Sequence, residues 1–187
     1  MYLFHNTDIQ YLYTILDDGY LKSSKITNNL GEGDGIYKTN SYIYFSTTPK
    51  LFDLSVIATC TLYFKSILLY NRRFYINNIA SSSPNLTGKK YKKNYKYYNK
   101  VLQKLYNNSI NVLHNGTAFQ AFQQIAILNK INLVNLIGIE FTNYIPPNIL
   151  TKINLMNKYR KNKIVLSIKK QNNDFTNKNI NLIVKNS

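Results

Sequence analysis

The chain has 187 residues, of which 44% are hydrophobic and 14% aromatic, and this composition predicts one folded domain with its own core. Its 24 basic and 8 acidic residues give a net charge of +16, which attracts polyanions such as nucleic acid or an anionic membrane surface. The single cysteine, Cys60, excludes an internal disulfide, and no apolar run approaches the ~18 residues that a bilayer requires. We therefore expect an intracellular protein, cytoplasmic or nuclear and not secreted, that binds nucleic acid rather than a membrane.

Residues 2–21, YLFHNTDIQYLYTILDDGYL, predict a strand followed by a helix. The first three apolar residues indicate a short buried strand that ends at His5. Thr7 and Gln10 fit a capping box, which predicts that the helix begins at Thr7, and Gly19 is placed to end it in a left-handed turn. Four apolar residues recur between them at helical spacing: Ile9, Leu12, Ile15 and Leu16. His5 is thus expected at a strand end, open to ligand.

The pattern H-x-T-x-I-x-x-L-x-x-I-L-x-x-G-x-L, from His5 to Leu21, resembles the opening of ADP-ribosyltransferases. It is most similar to the DarT group, which modifies bases in single-stranded DNA, and more loosely to the poly(ADP-ribose) polymerase and RNA 2′-phosphotransferase branches. The resemblance implies an α+β fold, a single ADP-ribosyltransferase-like domain in which two small packed β-sheets surround an NAD cleft with flanking helices. It implies NAD as substrate with no metal, and it implies that His5 holds the ribose with help from Asn6 and Thr7.

Residues 22–58 predict a loop, a strand and a second helix. The loop contains GEGDG at 31–35, which lacks the lysine of a Walker motif and the spacing of a dinucleotide fingerprint. Its two carboxylates, Glu32 and Asp34, leave calcium coordination as an alternative. YIYFS at 42–46 alternates as a strand does, and a cap and a first-turn proline follow before the helix expected at 51–58.

The YFSTTP segment that starts at Tyr44 resembles the second wall of the nicotinamide pocket in ADP-ribosyltransferases. The resemblance implies that Tyr44 stacks on the nicotinamide ring, with Phe52 as the alternative. It also implies that Ser46 or Thr47 forms a hydrogen bond with the ligand. Without the resemblance these aromatic residues would be read as core.

An arginine pair, Arg72 and Arg73, interrupts the apolar run at 61–76. The chain has three arginines against 21 lysines, and arginine suits bidentate phosphate recognition. We expect the pair at the edge of the core, where one member contacts the cofactor pyrophosphate or a nucleic-acid backbone.

Residues 89–104 carry seven lysines and four tyrosines and predict a helical insertion over about 89–106 with a broad basic face. Lysines on such a face can follow phosphates, and interleaved tyrosines can stack on unpaired bases. The sequence therefore favours this segment as the surface for nucleic acid, and a solvated lysine-rich helix is the alternative. The resemblance to the DarT group implies that this nucleic acid is single-stranded DNA in preference to RNA. The residues expected to bind are Lys89, Lys90, Lys92, Lys93, Tyr95, Lys96 and Lys100.

The second histidine, His114, lies in VLHNGT at 112–117. A 2H phosphoesterase uses two H-x-T/S motifs, one histidine as base and one as acid. The HNT at His5 fits this pattern, whereas HNGT at His114 is one residue too long. A nucleotide phosphoesterase remains an alternative, and in a transferase His114 could assist deprotonation of the acceptor.

Residues 120–141 predict strands at 125–128, 131–133 and 136–141. In ADP-ribosyltransferases the first of these is headed by a glutamate that grips the nicotinamide ribose, and by resemblance Gln124 or Gln123 stands in that place. Glutamine can hydrogen-bond ribose hydroxyls but supplies no negative charge as nicotinamide leaves. The alternative is therefore a non-catalytic module that binds nucleic acid or ADP-ribose.

The remainder of the chain, 142–187, predicts a turn at Pro146 and Pro147 and two strands, at 164–168 and 180–184, before an end that frays. With one cysteine and two histidines, the sequence contains no metal-ligand cluster. Residues 1–187 are accordingly expected to form one domain, and the sequence does not predict its oligomeric state.

Overall fold

The structure is a computed structural model that describes residues 2–28, 41–47, 59–69, 72, 74–78, 100, 102–104, 107 and 123–168. Short 3₁₀ turns lie at Ser66–Leu69 and Leu133–Asn135. The helices and strands, in chain order, are β1 (Tyr2–Thr7), α1 (Ile9–Asp18), β2 (Tyr20–Lys22), α2 (Ser24–Thr27), β3 (Tyr42–Phe45), β4 (Cys60–Lys65), β5 (Tyr75–Asn78), β6 (Gln123–Leu128), β7 (Lys130–Asn132), β8 (Leu136–Phe141), α3 (Pro147–Tyr159) and β9 (Val165–Ile168).

The described strands form three small sheets, which confirms the α+β class; the expectation of two sheets omits the smallest. The larger sheet has the order β1-β4-β8-β9, antiparallel except for the parallel pair β8 and β9. A three-stranded antiparallel sheet has the order β3-β6-β5. The third sheet is the antiparallel pair β2 and β7. Asn129, with φ of 68°, turns the chain from β6 directly into β7, a left-handed conformation that asparagine tolerates.

The larger and the three-stranded sheets meet at the bridge between Phe4 and Ser46. The Phe4 N–H donates to the Ser46 carbonyl at 3.0 Å, and the Ser46 N–H donates back to the Phe4 carbonyl at 2.9 Å. β1 is therefore paired with β4 on one side and with the end of β3 on the other. This seam positions the candidate site, because His5 is the residue that follows it.

Helix α1 packs one apolar face on the core, as its periodicity predicts. Leu12 and Leu16 are fully buried, while Ile9 and Ile15 pack against the core from its margin. Gly19 ends the helix with φ of 71°, which confirms the predicted left-handed turn. Each buried leucine contributes about 1.5–3 kcal/mol to folding.

The start of α1 differs from the prediction. The N-cap is Asp8, whose carboxylate accepts from the Gln10 N–H at 3.1 Å, so the prediction of a cap at Thr7 is wrong. Thr7 is the last residue of β1, where it pairs with Cys60, because the ladder with β4 continues two residues past His5. His5 consequently lies inside the strand and not at its end.

Other expectations have mixed outcomes. The strands predicted at 42–46, 125–128, 131–133, 136–141 and 164–168 are confirmed within two residues. The prolines at 146 and 147 do not make an isolated turn, because Pro147 occupies the first turn of α3, a helix that the sequence analysis missed. The loop at 31–35, the helix at 51–58 and the strand at 180–184 lie outside the described residues.

Candidate functional site

A cleft of about 800 Å³ opens beside the seam between the two sheets. Its described walls include His5 and Thr7 of β1, Tyr11 of α1, and Tyr42 and Tyr44 of β3. The other described residues that line it are Thr14, Ile15, Asp18, Tyr20, Leu21, Lys22, Ser23, Ser24, Ile26, Thr27, Asn28 and Ile43. Clefts of about 300–1,000 Å³ are typical of small-molecule sites.

The imidazole of His5 is fixed in the cleft wall by the neighbouring strand. Its Nδ1 lies 2.9 Å from the Tyr44 carbonyl oxygen, and its ring centroid lies 5.7 Å from that of Phe45. A carbonyl can only accept, so Nδ1 carries the proton and Nε2 is left as a hydrogen-bond acceptor. Burial lowers the pKa of His5, outweighing the raising effect of the bond to Tyr44. At neutral pH the side chain is therefore a neutral, oriented acceptor.

Three tyrosines form an aromatic cluster across the three-stranded sheet. The Tyr42 ring lies 5.7 Å from that of Tyr75 in an edge-on arrangement and 6.5 Å from that of Tyr44. Burial raises the pKa of Tyr42, and nearby Tyr75 adds to the shift. Tyr42 and Tyr44 alternate onto the same face of β3 and both line the cleft, so the cleft has an aromatic wall.

Position 124 lies in line with the seam. In β6, Ile125 pairs with Phe45 of β3, and Gln124 pairs with Asn77 of β5 on the other side. Antiparallel register therefore brings Gln124 level with the residue after Phe45, which is Ser46. The backbone thus places positions 124, 46 and 4 in succession across the two sheets, next to His5.

The fold is similar to that of several solved DarT structures. Over 88% of this chain and 93% of the other, the fold superposes on Thermus sp. 2.9 DarT in complex with ADP-ribosylated ssDNA, with a TM-score of 0.59 and 10% identity. The fold is that of a DarT-like ADP-ribosyltransferase. No family model matches the sequence, and the search of curated proteins gives no match.

Two further structures share the DarT-like fold. Thermus sp. 2.9 DarT in complex with NAD+ has a TM-score of 0.58 and 11% identity, with coverage of 88% of this chain and 94% of that one. Thermosipho africanus DarTG in complex with ADP-ribose has a TM-score of 0.50 and 15% identity. The match covers 89% of this chain and 49% of the DarTG chain.

The DarT-like fold brings together some of the predicted site residues. His5, Thr7 and Tyr44 line the cleft, and Ser46 and Thr47 are buried beside the seam. The Ser46 hydroxyl lies 3.5 Å from the Phe4 carbonyl oxygen. These placements are compatible with the predicted roles, which remain predictions.

Asn6 and Arg72 lie apart from that group. Asn6 alternates onto the other face of β1, where its Oδ1 accepts from the Thr61 hydroxyl at 2.7 Å. Arg72 is exposed and is not among the described residues that line the cleft; its Nη1 lies 3.5 Å from the Lys130 carbonyl oxygen. Neither placement supports a contact with a dinucleotide inside the cleft.

The predicted basic helix is described only in part. Lys100, Leu102–Lys104 and Asn107 are helical, with Leu102 fully buried and Lys100 exposed. The remaining predicted site residues lie outside the described part of the chain: Phe52, Arg73, Lys89, Lys90, Lys92, Lys93, Tyr95, Lys96 and His114.

Tyr11 and Tyr42 are two of the cleft residues that sequence reasoning did not name as site residues. The two-residue period of β3 places Tyr42 on the face of Tyr44, so that signal was present in the sequence. Tyr11 gave no such signal, because an exposed tyrosine on the outer side of a helix is common. Within the described ranges, no three His, Cys, Asp or Glu residues are grouped to hold a metal, and no helix is long and apolar enough to cross a bilayer.

Proposed function

We propose that this protein is an NAD-dependent ADP-ribosyltransferase that modifies nucleic acid, with single-stranded DNA favoured as acceptor. The observation that carries the proposal is His5, held as a neutral acceptor in the cleft wall of a DarT-like fold. The fold neighbours were solved with NAD+ and with ADP-ribosylated ssDNA, which supports both substrates. The net charge of +16 supports a polyanionic acceptor.

The residues of the cleft fit a dinucleotide. His5 Nε2 can accept a hydrogen bond from a ribose hydroxyl because Nδ1 is already committed to Tyr44. Tyr42 and Tyr44 offer an aromatic wall for a planar ring. Bound NAD supplies the ADP-ribosyl group, with nicotinamide as the leaving group. The chain's own part is to orient the ribose through His5 and to fix the ring against Tyr44.

Gln124 is proposed at the position of the catalytic glutamate, where its amide hydrogen-bonds ribose without adding negative charge. This substitution favours a second candidate, a non-catalytic module that binds nucleic acid or ADP-ribose. The chain has two glutamates, Glu32 and Glu140. Glu140 Oε2 accepts from the Tyr63 hydroxyl at 2.9 Å in the larger sheet and is not among the described cleft residues. It therefore does not replace the missing carboxylate.

The test is incubation of purified protein with labelled NAD and, separately, single-stranded DNA, duplex DNA, RNA or no acceptor, with products resolved by mass. We expect ADP-ribose on single-stranded DNA, with nicotinamide released in equal amount. Gln124→Glu should raise the rate by about 100-fold if charge at this position limits turnover, and Gln124→Ala should lower it.

Each other outcome contradicts the proposal in its own way. Salt-sensitive polymer binding with no NAD cleavage, and activity appearing only in Gln124→Glu, would establish the binding module. Phosphodiester cleavage that needs no NAD and is lost in His114→Ala would establish the phosphoesterase instead. ADP-ribose on RNA alone would keep the transferase and change its acceptor.

A further inference from the structure

The two-stranded sheet of β2 and β7 has one buried and one exposed face. Leu21 and Ile131 pair across the strands and are almost fully buried. Strand alternation places the flanking residues on the opposite face, where Lys22 pairs with Lys130 and Tyr20 pairs with Asn132. The exposed face therefore presents two lysines directly opposite each other.

Like charges placed opposite each other destabilise a sheet, and each of the two lysines has one compensating contact. Lys22 Nζ makes an ion pair with Asp18 at 2.7 Å, and Lys130 Nζ lies 4.8 Å from the centre of the Tyr20 ring. Arg72 approaches from the chain before β5, with Nη1 3.5 Å from the Lys130 carbonyl oxygen. Among the described residues, only Lys22 of these three cations pairs with a carboxylate, and the excess positive charge suits an anionic ligand.

This face is continuous with the cleft. Tyr20 and Lys22 line the cleft together with His5, whereas Lys130 and Arg72 lie beyond the described cleft lining. A ligand that contacts both pairs must extend out of the cleft along the sheet. A pyrophosphate carries two phosphates, whereas a polymer repeats its phosphates and can follow the exposed face from Lys22 out to Lys130 and Arg72.

We propose that the surface formed by Tyr20, Lys22, Arg72 and Lys130, here termed the basic ribbon, holds the phosphate backbone of the single-stranded nucleic acid that enters the cleft. The proposal rests on the proposed function, since it supplies the path of the acceptor. Arg72 and Lys130 contact phosphates beside the target nucleotide. Lys22 lies where the strand turns into the cleft. Contacts of this kind position any sequence equally.

The test compares wild-type protein with the double variant Arg72→Gln, Lys130→Gln in titrations of a fluorescent single-stranded oligonucleotide over a range of salt concentrations. We expect the slope of log affinity against log salt to fall by about 1 to 2, because each lost cation releases about one counterion fewer. The loss should be the same for oligonucleotides of different sequence. Calorimetric affinity for NAD should not change.

Two control variants isolate the position of the charge. Lys158→Gln, Lys161→Gln removes the same net charge from exposed lysines outside the cleft lining and should leave the slope within error. Arg72→Lys, Lys130→Arg keeps both cations and should retain the wild-type slope. Thermal melts of all variants verify that these exposed changes leave the fold intact.

The outcomes separate the ribbon from the proposed function. If the salt slope falls equally in Arg72→Gln, Lys130→Gln and in Lys158→Gln, Lys161→Gln, the basic ribbon is overturned, because net charge alone then explains binding. If the Arg72→Gln, Lys130→Gln variant binds NAD more weakly and its salt slope for the oligonucleotide is unchanged, these residues bind the pyrophosphate of NAD and the basic ribbon is overturned. If wild-type protein modifies single-stranded DNA and the Arg72→Gln, Lys130→Gln variant keeps the wild-type salt slope, the basic ribbon is overturned and the proposed function stands. Wild-type protein that binds no oligonucleotide overturns the proposed acceptor as well.

Discussion

The Nδ1 atom of His5 lies 2.9 Å from the carbonyl oxygen of Tyr44, so a side chain of the larger sheet is held by the backbone of the three-stranded sheet. The bond fixes both the tautomer and the direction of the imidazole. Nε2 is oriented by the fold and needs no ligand to order it. Such preorganisation strengthens every interaction that the site makes as charge develops in a reaction.

His5→Phe tests the nitrogen atoms of this side chain, since phenylalanine keeps a ring against Phe45 but accepts no hydrogen bond. We expect ADP-ribose transfer to fall by about 100- to 1,000-fold, measured as kcat/KM for NAD. Tyr13→Phe, on α1 and outside the described cleft lining, is the control and should retain activity. Transfer that survives in His5→Phe would contradict the role of His5.

The pH dependence of stability provides a second test of His5. Burial lowers the pKa of His5 in the folded chain below the usual 6.5 of the unfolded chain. Between the folded and the unfolded pKa, the unfolded chain therefore binds a proton that the folded chain does not. The contribution of His5 to the free energy of unfolding is therefore fully present above about pH 6.5, and it is lost as the pH falls towards the folded pKa. Urea unfolding between about pH 7.5 and pH 5 should show a smaller loss in His5→Gln than in wild type. If the free energies of unfolding of wild type and His5→Gln depend on pH in the same way, burial does not shift the pKa of His5.

Glu140→Gln tests whether Glu140, the one glutamate among the described residues, contributes to stability or to catalysis. The Tyr63 hydroxyl donates to Glu140, and burial together with this carboxylate raises the pKa of Tyr63. We expect the free energy of unfolding to fall by about 1 kcal/mol, because a charge-assisted hydrogen bond becomes neutral. Transfer activity should stay within about threefold of wild type. Loss of transfer at unchanged stability would make Glu140 the catalytic carboxylate.

The N-cap of α1 can be assigned by a pair of variants. Asp8 accepts from the Gln10 N–H and from the Thr59 hydroxyl at 3.3 Å, and the same hydroxyl accepts from the Ile9 N–H at 2.6 Å. Asp8→Ala should lower the free energy of unfolding by about 1 kcal/mol. Thr7→Val replaces the hydroxyl with a methyl group of similar size and should cost less than about 0.5 kcal/mol by urea unfolding. The reverse order would restore Thr7 as the cap.

The third arginine, Arg160, stabilises the junction between α3 and β8. Its guanidinium donates at 3.1 Å to the Leu133 and Val134 carbonyls and at 2.6 Å to that of Leu136. Arg160→Lys loses this fork, so unfolding in urea should show a loss of about 2 kcal/mol. Lys161→Met, at the next residue, is the control and should stay within about 0.5 kcal/mol. An equal effect of both variants would rule out the carbonyl contacts as the cause.

The sequence predicts the elements around the cleft well, for physical reasons. Leu12 and Leu16 repeat at the helical period, and Gly19 is a residue that adopts a left-handed turn at little cost. The strands from 123 to 141 consist of apolar runs broken by asparagine. Each of these signals is local, so no knowledge of distant partners is required.

Distant pairings had no such signal. Nothing in the sequence places Ser46 beside Phe4, because either strand edge could accept other partners of similar polarity. Helix α3 was missed since Pro146 and Pro147 indicate a turn, although Ile149 and Ile153, at helical spacing, are both buried. The catalytic glutamate position was inferred from resemblance, and the backbone register supports only its place next to the seam.

The bridge between Phe4 and Ser46 also links the two sheets through the backbone at the edge of the cleft. Two backbone hydrogen bonds join the sheets there, whereas each sheet is held internally by a longer ladder. His5 and Tyr44, one on each sheet, lie within two residues of this bridge and line the cleft. A ligand that contacts both His5 and Tyr44 would strengthen this link, and slower amide hydrogen exchange at Phe4 and Ser46 would record its binding.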